Sequence, residues 1–404
     1  MARTRGLNLS KAKEQNDITL MEILYKYGPI TRHQIANMMG LSIPTITTNI
    51  AEMMKNGVVV EVAGGEDNTV GRKARPVDLC SIYQYFLGVE ITPVRCTFCL
   101  TDLRFQNLEM KEEYRDNSDY DEMMSYVIRM IQSILAAHES IRDKIAGIGV
   151  GLPGFIESKK GVLRSLGRLN WYHKPIKEEL EKQLGLPVCV ENNGRVRVIG
   201  EDIINGSIRP DTFAYLFVSL GIACPLLIKD SILTGYSAGA GEIGHMILKE
   251  DGPECDMCGK RGCLDSLASE VAIVKSCQKA LDDGKAAILK QHVESNGRLT
   301  MHEIIRAQSD GDREVNRIVD EAVRYLGLAV ANMANFISPN LIIVDAYAMK
   351  LKSNRQLFMK IVKEYLYGFN EDEIAIEFKE YDKFAGCKGA AAYAIRHFFI
   401  QGKR

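Results

Sequence analysis

Four metal-binding side chains fall within nineteen residues of this chain: His245, Cys255, Cys258 and Cys263. One imidazole and three thiolates make a closed tetrahedral set suited to zinc. Gly252, Pro253, Gly259 and Gly262 let the backbone turn tightly enough to aim the sulfurs at one point. No open position is evident, so the set reads as one structural zinc ion per chain. It would hold Glu242, one helical turn before His245, in a fixed pose. A reduced cysteine cluster without metal is the plainer alternative. Pro253, Cys255 and Cys258 faintly match the second half of a zinc-deaminase signature. His245, however, is followed by Met246 and Ile247 rather than by the general-acid glutamate, which sets that reading aside.

The length of 404 residues allows two or three domains. With 46% hydrophobic and 25% charged residues the composition is that of a soluble globular protein, and the net charge of −1 requires any nucleic-acid contact to come from a local basic region. Ten cysteines without a signal peptide point to the reducing cytoplasm. The longest uncharged run, Thr212 to Ile228, is shorter than the roughly 20 residues of a membrane helix. It contains Ser219, Gly221 and Pro225, so two buried strands joined by a turn fit better, and no membrane partner is expected.

Residues 1–14 carry Arg3, Arg5, Lys11 and Lys13 against Glu14, which reads as a basic arm or as a disordered tail. The apolar spacing from Ile18 to Tyr27 predicts a helix ended by Gly28-Pro29. Thr31 is the N-cap of a second helix through Met39, and Gly40-Leu41-Ser42 turns the chain into a third, about Ile43 to Lys55. This is a helix-turn-helix. Its third helix would present Ser42, Thr45, Thr47, Thr48 and Asn49 to base edges and phosphates of double-stranded DNA, with Ile46, Ile50 and Met53 inside. A three-helix domain that binds a protein is the alternative. The strand Val58 to Val62, the turn Gly64 to Asn68 and a return strand Val77 to Leu79 add a wing, with Arg72, Lys73 and Arg75 placed to track phosphates.

From Tyr83 onward strands and helices alternate, which is α/β architecture. Strands are expected at Phe86–Ile91, Cys96–Thr101 and Asn107–Tyr114, then a helix at Tyr120–His138 and a buried strand entering a glycine-rich loop, Ile145–Gly154. Cys96 and Cys99 point to opposite faces of their strand, so they are core thiols rather than a redox pair. Helices are expected at Leu267–Asp282, Met301–Ala307 and Val315–Phe336. The last could form a dimer face, though burial is the default.

These segments resemble the ROK family of repressors, open reading frames and kinases. Gly241 to His245, Cys258 to Leu264, Gly147 to Gly154, Leu169-Asn170-Trp171 and Pro187 to Asn192 fall in family order. The resemblance implies a winged helix-turn-helix followed by a two-lobed RNase-H-like domain of the actin-like ATPase, sugar-kinase type. It divides the chain into a DNA-binding domain at 1–81, a first lobe at 82–194 plus 382–404, and a second lobe at 195–381 carrying the zinc loop 245–263. The final helix, opening at Gly386, would return to the first lobe and close the hinge. The family spaces its first two cysteines one residue closer than Cys255 and Cys258, so a locally altered loop is expected.

Kinase members of the family use an aspartate as general base after Glu-Asn. Here the motif reads Glu191-Asn192-Asn193, and an amide cannot accept the proton. The phosphate loops are replaced by Glu90 to Val94 and Ser219 to Cys224, and the adenosine loop by Asp345-Ala346-Tyr347. No catalytic residues and no ATP are expected. Asn192, Asn193, Glu242, His245 and Asp265 remain as candidate contacts to a sugar or sugar-phosphate effector, unless Asn192 and Asn193 only cap a helix and Glu242 only supports the zinc loop. The resemblance thus implies a sugar-responsive regulator of operator DNA, acting as a homodimer or higher oligomer. Binding in the cleft between lobes would shift the winged domains. The alternatives are a ROK sugar kinase with an N-terminal extension and a ligand-free DNA-binding protein.

Overall fold

Caps written into the sequence delimit the first helices. The computed structural model describes residues 9–63, 75–206, 209–210, 212–229, 231–368 and 373–402. In it, α1 (Leu9–Tyr27), α2 (Arg32–Met39) and α3 (Ile43–Lys55) follow one another. Thr31 and Gln34 form a reciprocal capping box on α2, and Gly40, at φ 64°, ends that helix in the left-handed region. Ser42 caps α3, with Pro44 in its first turn. Leu20, Leu24, Ile35, Ile46 and Ile50 are fully buried between the three helices, while Met53 is half-buried. The first helix starts at Leu9 rather than Ile18, so the described part of the basic segment is helical, not an arm. Lys, Glu and Gln are good helix formers and extend the helix past its apolar stripe. Strands β1 (Val59–Glu61) and β2 (Val77–Leu79) pair antiparallel, Val59 opposite Leu79. The turn Gly64 to Asn68, Arg72 and Lys73 lie outside the described residues.

The next stretch is β3 (Tyr85–Thr92), β4 (Arg95–Asp102), β5 (Asn107–Tyr114), α4 (Tyr120–Ala137) and β6 (Ile145–Leu152). Then come β7 (Phe155–Glu157), β8 (Val162–Leu166) and β9 (Trp171–Lys174), a separate three-stranded sheet, followed by α5 (Ile176–Leu184), β10 (Val188–Asn192) and α6 (Asn193–Asn205). The main sheet has the order β10-β6-β3-β4-β5. Its β10, β6 and β3 are parallel, and β3, β4 and β5 antiparallel. Cys96 and Cys99 are both fully buried free thiols in different surroundings. Asn117 Nδ2 donates to Cys96 Sγ at 3.3 Å, and Cys99 packs with Cys387 and Ala391. Burial pushes the Cys96 thiol up to about 11.

A second sheet is built from β11 (Thr212–Val218), β12 (Ile222–Ala223), β13 (Leu226–Ile228) and β14 (Ser231–Ile232). Around it stand α7 (Leu264–Ala268), α8 (Glu270–Asp282), α9 (Ala287–Asn296), α10 (Met301–Ser309) and α11 (Arg313–Ile337), and then β15 (Leu341–Ala346), α12 (Lys352–Tyr365) and β16 (Ala375–Phe378). The strand order is β14-β13-β11-β15-β16, with β12 paired to β11. The expected helix Leu267–Asp282 is broken at Ser269, whose hydroxyl caps α8 by accepting from Ala272 N. One face of α11 is core: Val315, Val319, Val323, Leu326 and Val330 are fully buried. After β16 come α13 (Ala385–Ala394) and a π-helical segment, Ile395–Ile400.

Two compact units result. The first holds the described residues through Leu163, then His173–Arg209 and those from Phe384 on; the second holds Arg164–Tyr172 and Pro210–Lys383. The sequence places the change of lobe at 194/195, but the first unit runs on through α6. The reason is small-residue packing: a Cβ on Gly389 of α13 would lie 2.4 Å from the Val196 carbonyl oxygen of α6. The same helix rests directly on the sheet. A Cβ at Gly149 of β6 would lie 1.8 Å from Ala390 O, a backbone atom that cannot move aside. Among the described residues no helix is long and apolar enough to cross a membrane.

Candidate metal centre, effector groups and DNA-binding module

The ligand atoms of His245, Cys255, Cys258 and Cys263 all lie within 4.8 Å of one another. His245 ends a short 3-10 turn, Ile243–His245, that starts just after Glu242. Cys263 immediately precedes α7. The two ends are laced by Leu248 N donating to Gly262 O and Leu264 N to Met246 O, both at 2.9 Å. Cys255 N donates to Lys260 O at 2.7 Å and closes the inner turn over Cys258. Gly262 is required there: its φ is 73°, and a Cβ would lie 1.6 Å from Lys249 O. His245 Nδ1 is 4.0 Å from Cys255 Sγ, and the sulfurs of Cys258 and Cys263 are 3.6 Å apart. Tetrahedral coordination with metal–sulfur bonds of about 2.3 Å separates sulfurs by about 3.8 Å. The spacing therefore fits a tetrahedral metal ion. The ring nitrogen of His245 beside a sulfur is Nδ1, next to Cys255 Sγ. Burial pushes the Cys255 and Cys263 thiols up, Cys263 to about 12. Cys258 is the exposed member of the set.

Asp265 has a structural task. It is buried, its Oδ1 accepts from Ile222 N at 2.7 Å, and a Cβ on Gly244 would lie 2.2 Å from that same oxygen. It therefore pins β12 beneath the 3-10 turn. Burial raises the Asp265 carboxyl, opposed by His245 and by the Ile222 N–H. Glu242 is half-buried beside that turn.

In the first unit, Asn192 caps α6. Its Oδ1 accepts from Gly194 N at 2.9 Å and Arg195 N at 3.3 Å, and its Nδ2 donates to Gly154 O at 3.0 Å. Its side chain is thus committed to backbone, as a capping role requires. Asn193 is half-buried, and its side-chain amide makes no hydrogen bond among the described residues. Glu191 accepts from Ser158 Oγ at 2.7 Å and pairs with Arg195 at 3.2 Å.

The segment in the position of the first phosphate loop is a tight hairpin. Thr92 Oγ1 donates to Arg95 O at 3.0 Å across Pro93-Val94. Behind it Glu90, 1% exposed, pairs with Arg197 of α6 at 2.6 Å and with Arg95 at 3.7 Å. Sequence reading missed this pair, which joins residues more than a hundred positions apart. Ser219 N donates to Gly221 O at 2.9 Å in the β11–β12 turn, and Tyr215 OH donates to Asp345 at 2.8 Å at the end of β15.

On α3, Ser42, Thr45, Thr47 and Thr48 are exposed and Asn49 is half-buried. The Ser42 and Thr45 hydroxyls share a 2.8 Å hydrogen bond, and Thr48 Oγ1 donates to Pro44 O at 3.0 Å. Thr47 and Asn49 make no side-chain hydrogen bond among the described residues. Arg75, exposed at the base of the hairpin, pairs with Glu61 at 3.4 Å, and Glu61 also pairs with Arg32 at 2.9 Å.

Residues 86–397 match the ROK family, and residues 13–60 match a winged helix-turn-helix DNA-binding family. The chain belongs to the ROK family. It is 25% identical over 368 residues to a xylose repressor of Caldicellulosiruptor bescii, covering 88% of both chains. It is 30% identical over 217 residues to a glucokinase of Halalkalibacterium halodurans, covering 54% of this chain and 66% of that one. A crystal structure of a ROK family transcriptional regulator, a homologue of the E. coli MLC protein, superposes with a TM-score of 0.79 at 22% identity, over 97% of each chain. The fold is thus a winged helix-turn-helix joined to the actin-like, sugar-kinase-type ROK fold.

Proposed function

We propose that this chain is a sugar-responsive repressor that binds operator DNA through its winged module and uses the ROK domain as a sensor, not as an enzyme. One observation carries the reading. A helix-turn-helix whose described helices are capped shares a chain with a kinase-type domain whose Glu191-Asn192-Asn193 motif offers an amide where the family's kinases use a carboxylate, and whose Glu90–Arg197 pair backs a closed hairpin at the segment matching the first phosphate loop. A phosphoryl-transfer site needs backbone and cations turned toward phosphate; here Arg197 is turned toward Glu90. The repressor-type relative covers most of this chain, whereas the glucokinase aligns over about half of it.

Within this reading Thr47, Asn49 and the other polar residues of α3 contact bases and phosphates, and Arg72, Lys73 and Arg75 contact the backbone. His245, Cys255, Cys258 and Cys263 hold one structural zinc ion. Glu242 and the Nε2 side of His245 contact the effector hydroxyls in the second unit, and Asn193 is the candidate of the first. Asn192 and Asp265 support them by fixing backbone. The repressor is proposed to be cytoplasmic and to act as a homodimer on a palindromic site.

The test is fluorescence anisotropy on DNA from upstream of its own gene at fixed salt, with and without xylose, N-acetylglucosamine, glucose and their phosphates. Specific binding that one sugar changes is the expected result. Specific binding with no response to any sugar would leave a ligand-free DNA-binding protein. Phosphorylation of a sugar with ATP would overturn the sensor reading.

A further inference from the structure

Arg104 sits in the turn between β4 and β5, far in sequence from the winged module. Asp102, buried, shapes that turn: its Oδ1 accepts from Arg104 N at 2.8 Å and from Gln106 N at 2.9 Å. The guanidinium projects from this fixed base into the winged module. Its Nη1 donates to Tyr25 O at 2.7 Å, and its Nη2 donates to Leu24 O at 3.0 Å and pairs with Asp78 of β2. It also lies over the Tyr25 ring, 5.3 Å from the centroid. The carbonyls it binds belong to the last turn of α1, where Leu24 O also accepts from Gly28 N at 3.0 Å. Asp78 turns the same carboxylate to Leu79 N at 2.8 Å. One planar fork thus joins a helix end, a wing strand and the main sheet. A point-charge lysine could not reach all three at once.

A second contact lies close by. α6 begins at the Asn192–Asn193 motif, and a Cβ on Gly206, just past its end, would lie 3.3 Å from the Lys26 side chain of α1. The helix therefore runs from the candidate effector group of the first unit to the first helix of the winged module.

We infer that Arg104 is the positioning residue that makes the winged module and the main sheet of the first unit one rigid piece, so that an effector-driven displacement of the sheet is delivered to α3. The inference rests on the regulator reading above. Coupling between two sites requires an element whose position both sites bias. A module hinged loosely on the segment Cys80–Gln84 would absorb the displacement instead.

The experiment uses the full chain and three variants, Arg104→Ala, Arg104→Lys and Asp78→Asn. Affinity for the upstream DNA is measured with and without the sugar that acts on the wild type. Couplings of this kind are typically about 5–150-fold. In Arg104→Ala the ratio should collapse to within about twofold of unity, with sugar affinity and zinc content kept. Arg104→Lys and Asp78→Asn, which remove fewer contacts, should fall in between and keep the test open if the alanine variant does not fold. An unchanged ratio overturns the inference, as does a DNA affinity lowered equally with and without sugar. If the wild type answers to no sugar, the regulator reading fails, and Arg104 is judged by time-resolved anisotropy of a fluorophore on α3. Independent motion of the module in Arg104→Ala supports the rigid joint, and unchanged motion overturns it.

Discussion

Replacing Cys258 by serine isolates the contribution of the metal to the second unit. Cys255 and Cys263 are 2% and 0% exposed, so changing either also alters packing. Cys258 is exposed, and its metal-free replacement costs little. Structural zinc bound by thiolates is worth about 10–16 kcal/mol of apparent binding free energy, and a site saturated at a thousand times its Kd stabilises the fold by about 4 kcal/mol. For a unit of about 180 residues each kcal/mol shifts Tm by about 2–4 °C, so losing the site should lower the second unit's transition by roughly 8–16 °C. Differential scanning calorimetry of the zinc-loaded protein, of Cys258→Ser and of both with EDTA measures this, alongside metal content by mass spectrometry. EDTA should bring the wild type down to the variant and leave the variant where it was. A variant that keeps one zinc per chain and the wild-type Tm would refute the structural-metal argument.

Arg197→Ala leaves the buried Glu90 carboxylate with the longer Arg95 contact and should cost up to about 3–5 kcal/mol in urea denaturation. The double change with Glu90→Ala should recover much of it, and a double variant as unstable as the sum would sink the ion-pair account. Gly149→Ala drives a Cβ into Ala390 O and should cost about 3 kcal/mol or more, whereas Gly185→Ala, in open space but at φ 66°, should cost only the strain of about 1–2 kcal/mol; equal losses would contradict the close-packing reading. Acidification should release the metal, because protons compete for thiols that burial has raised: the metal-linked stability is present at high pH and disappears as pH falls. A chromophoric zinc indicator checks this, and retention unchanged between about pH 8 and pH 5 would count against thiolate ligation. Thr47→Ala should weaken specific DNA binding by about 1–3 kcal/mol and leave non-specific binding alone, as competition assays would show.

Sequence made legible those features whose physics is local. The convergence of His245, Cys255, Cys258 and Cys263 was readable because the four side chains and their turn residues fall within nineteen positions. The boundaries of α2 and α3 were readable because Thr31, Gly40 and Ser42 are caps. The start of α1 was not, because residues 9–17 carry helix formers without an apolar stripe. Long-range pairings left no local trace. Glu90 read as a lost phosphate loop, and only the fold shows Arg197 reaching it from α6. Arg104 lies nearly eighty positions from the α1 carbonyls it binds, so nothing local in the sequence marks its contacts with α1 and β2. Asp265 read as a shortened sugar contact, and no local signal showed that its carboxylate also holds the Ile222 amide.

The seat of α13 on the glycines of β3 and β6 sets a timetable for the chain as it is made. Gly88 and Gly149 have helix backbone pressed against them by residues 387 and 390, which are synthesised after the whole of the second unit. The second unit, whose sequence ends at Lys383, is complete before that helix leaves the ribosome, while the sheet that anchors the winged module waits with an apolar face uncovered. A chain stopped just after Lys383 would therefore keep the half that carries the His-Cys cluster and lose the helix that closes the half holding the DNA-binding module in place.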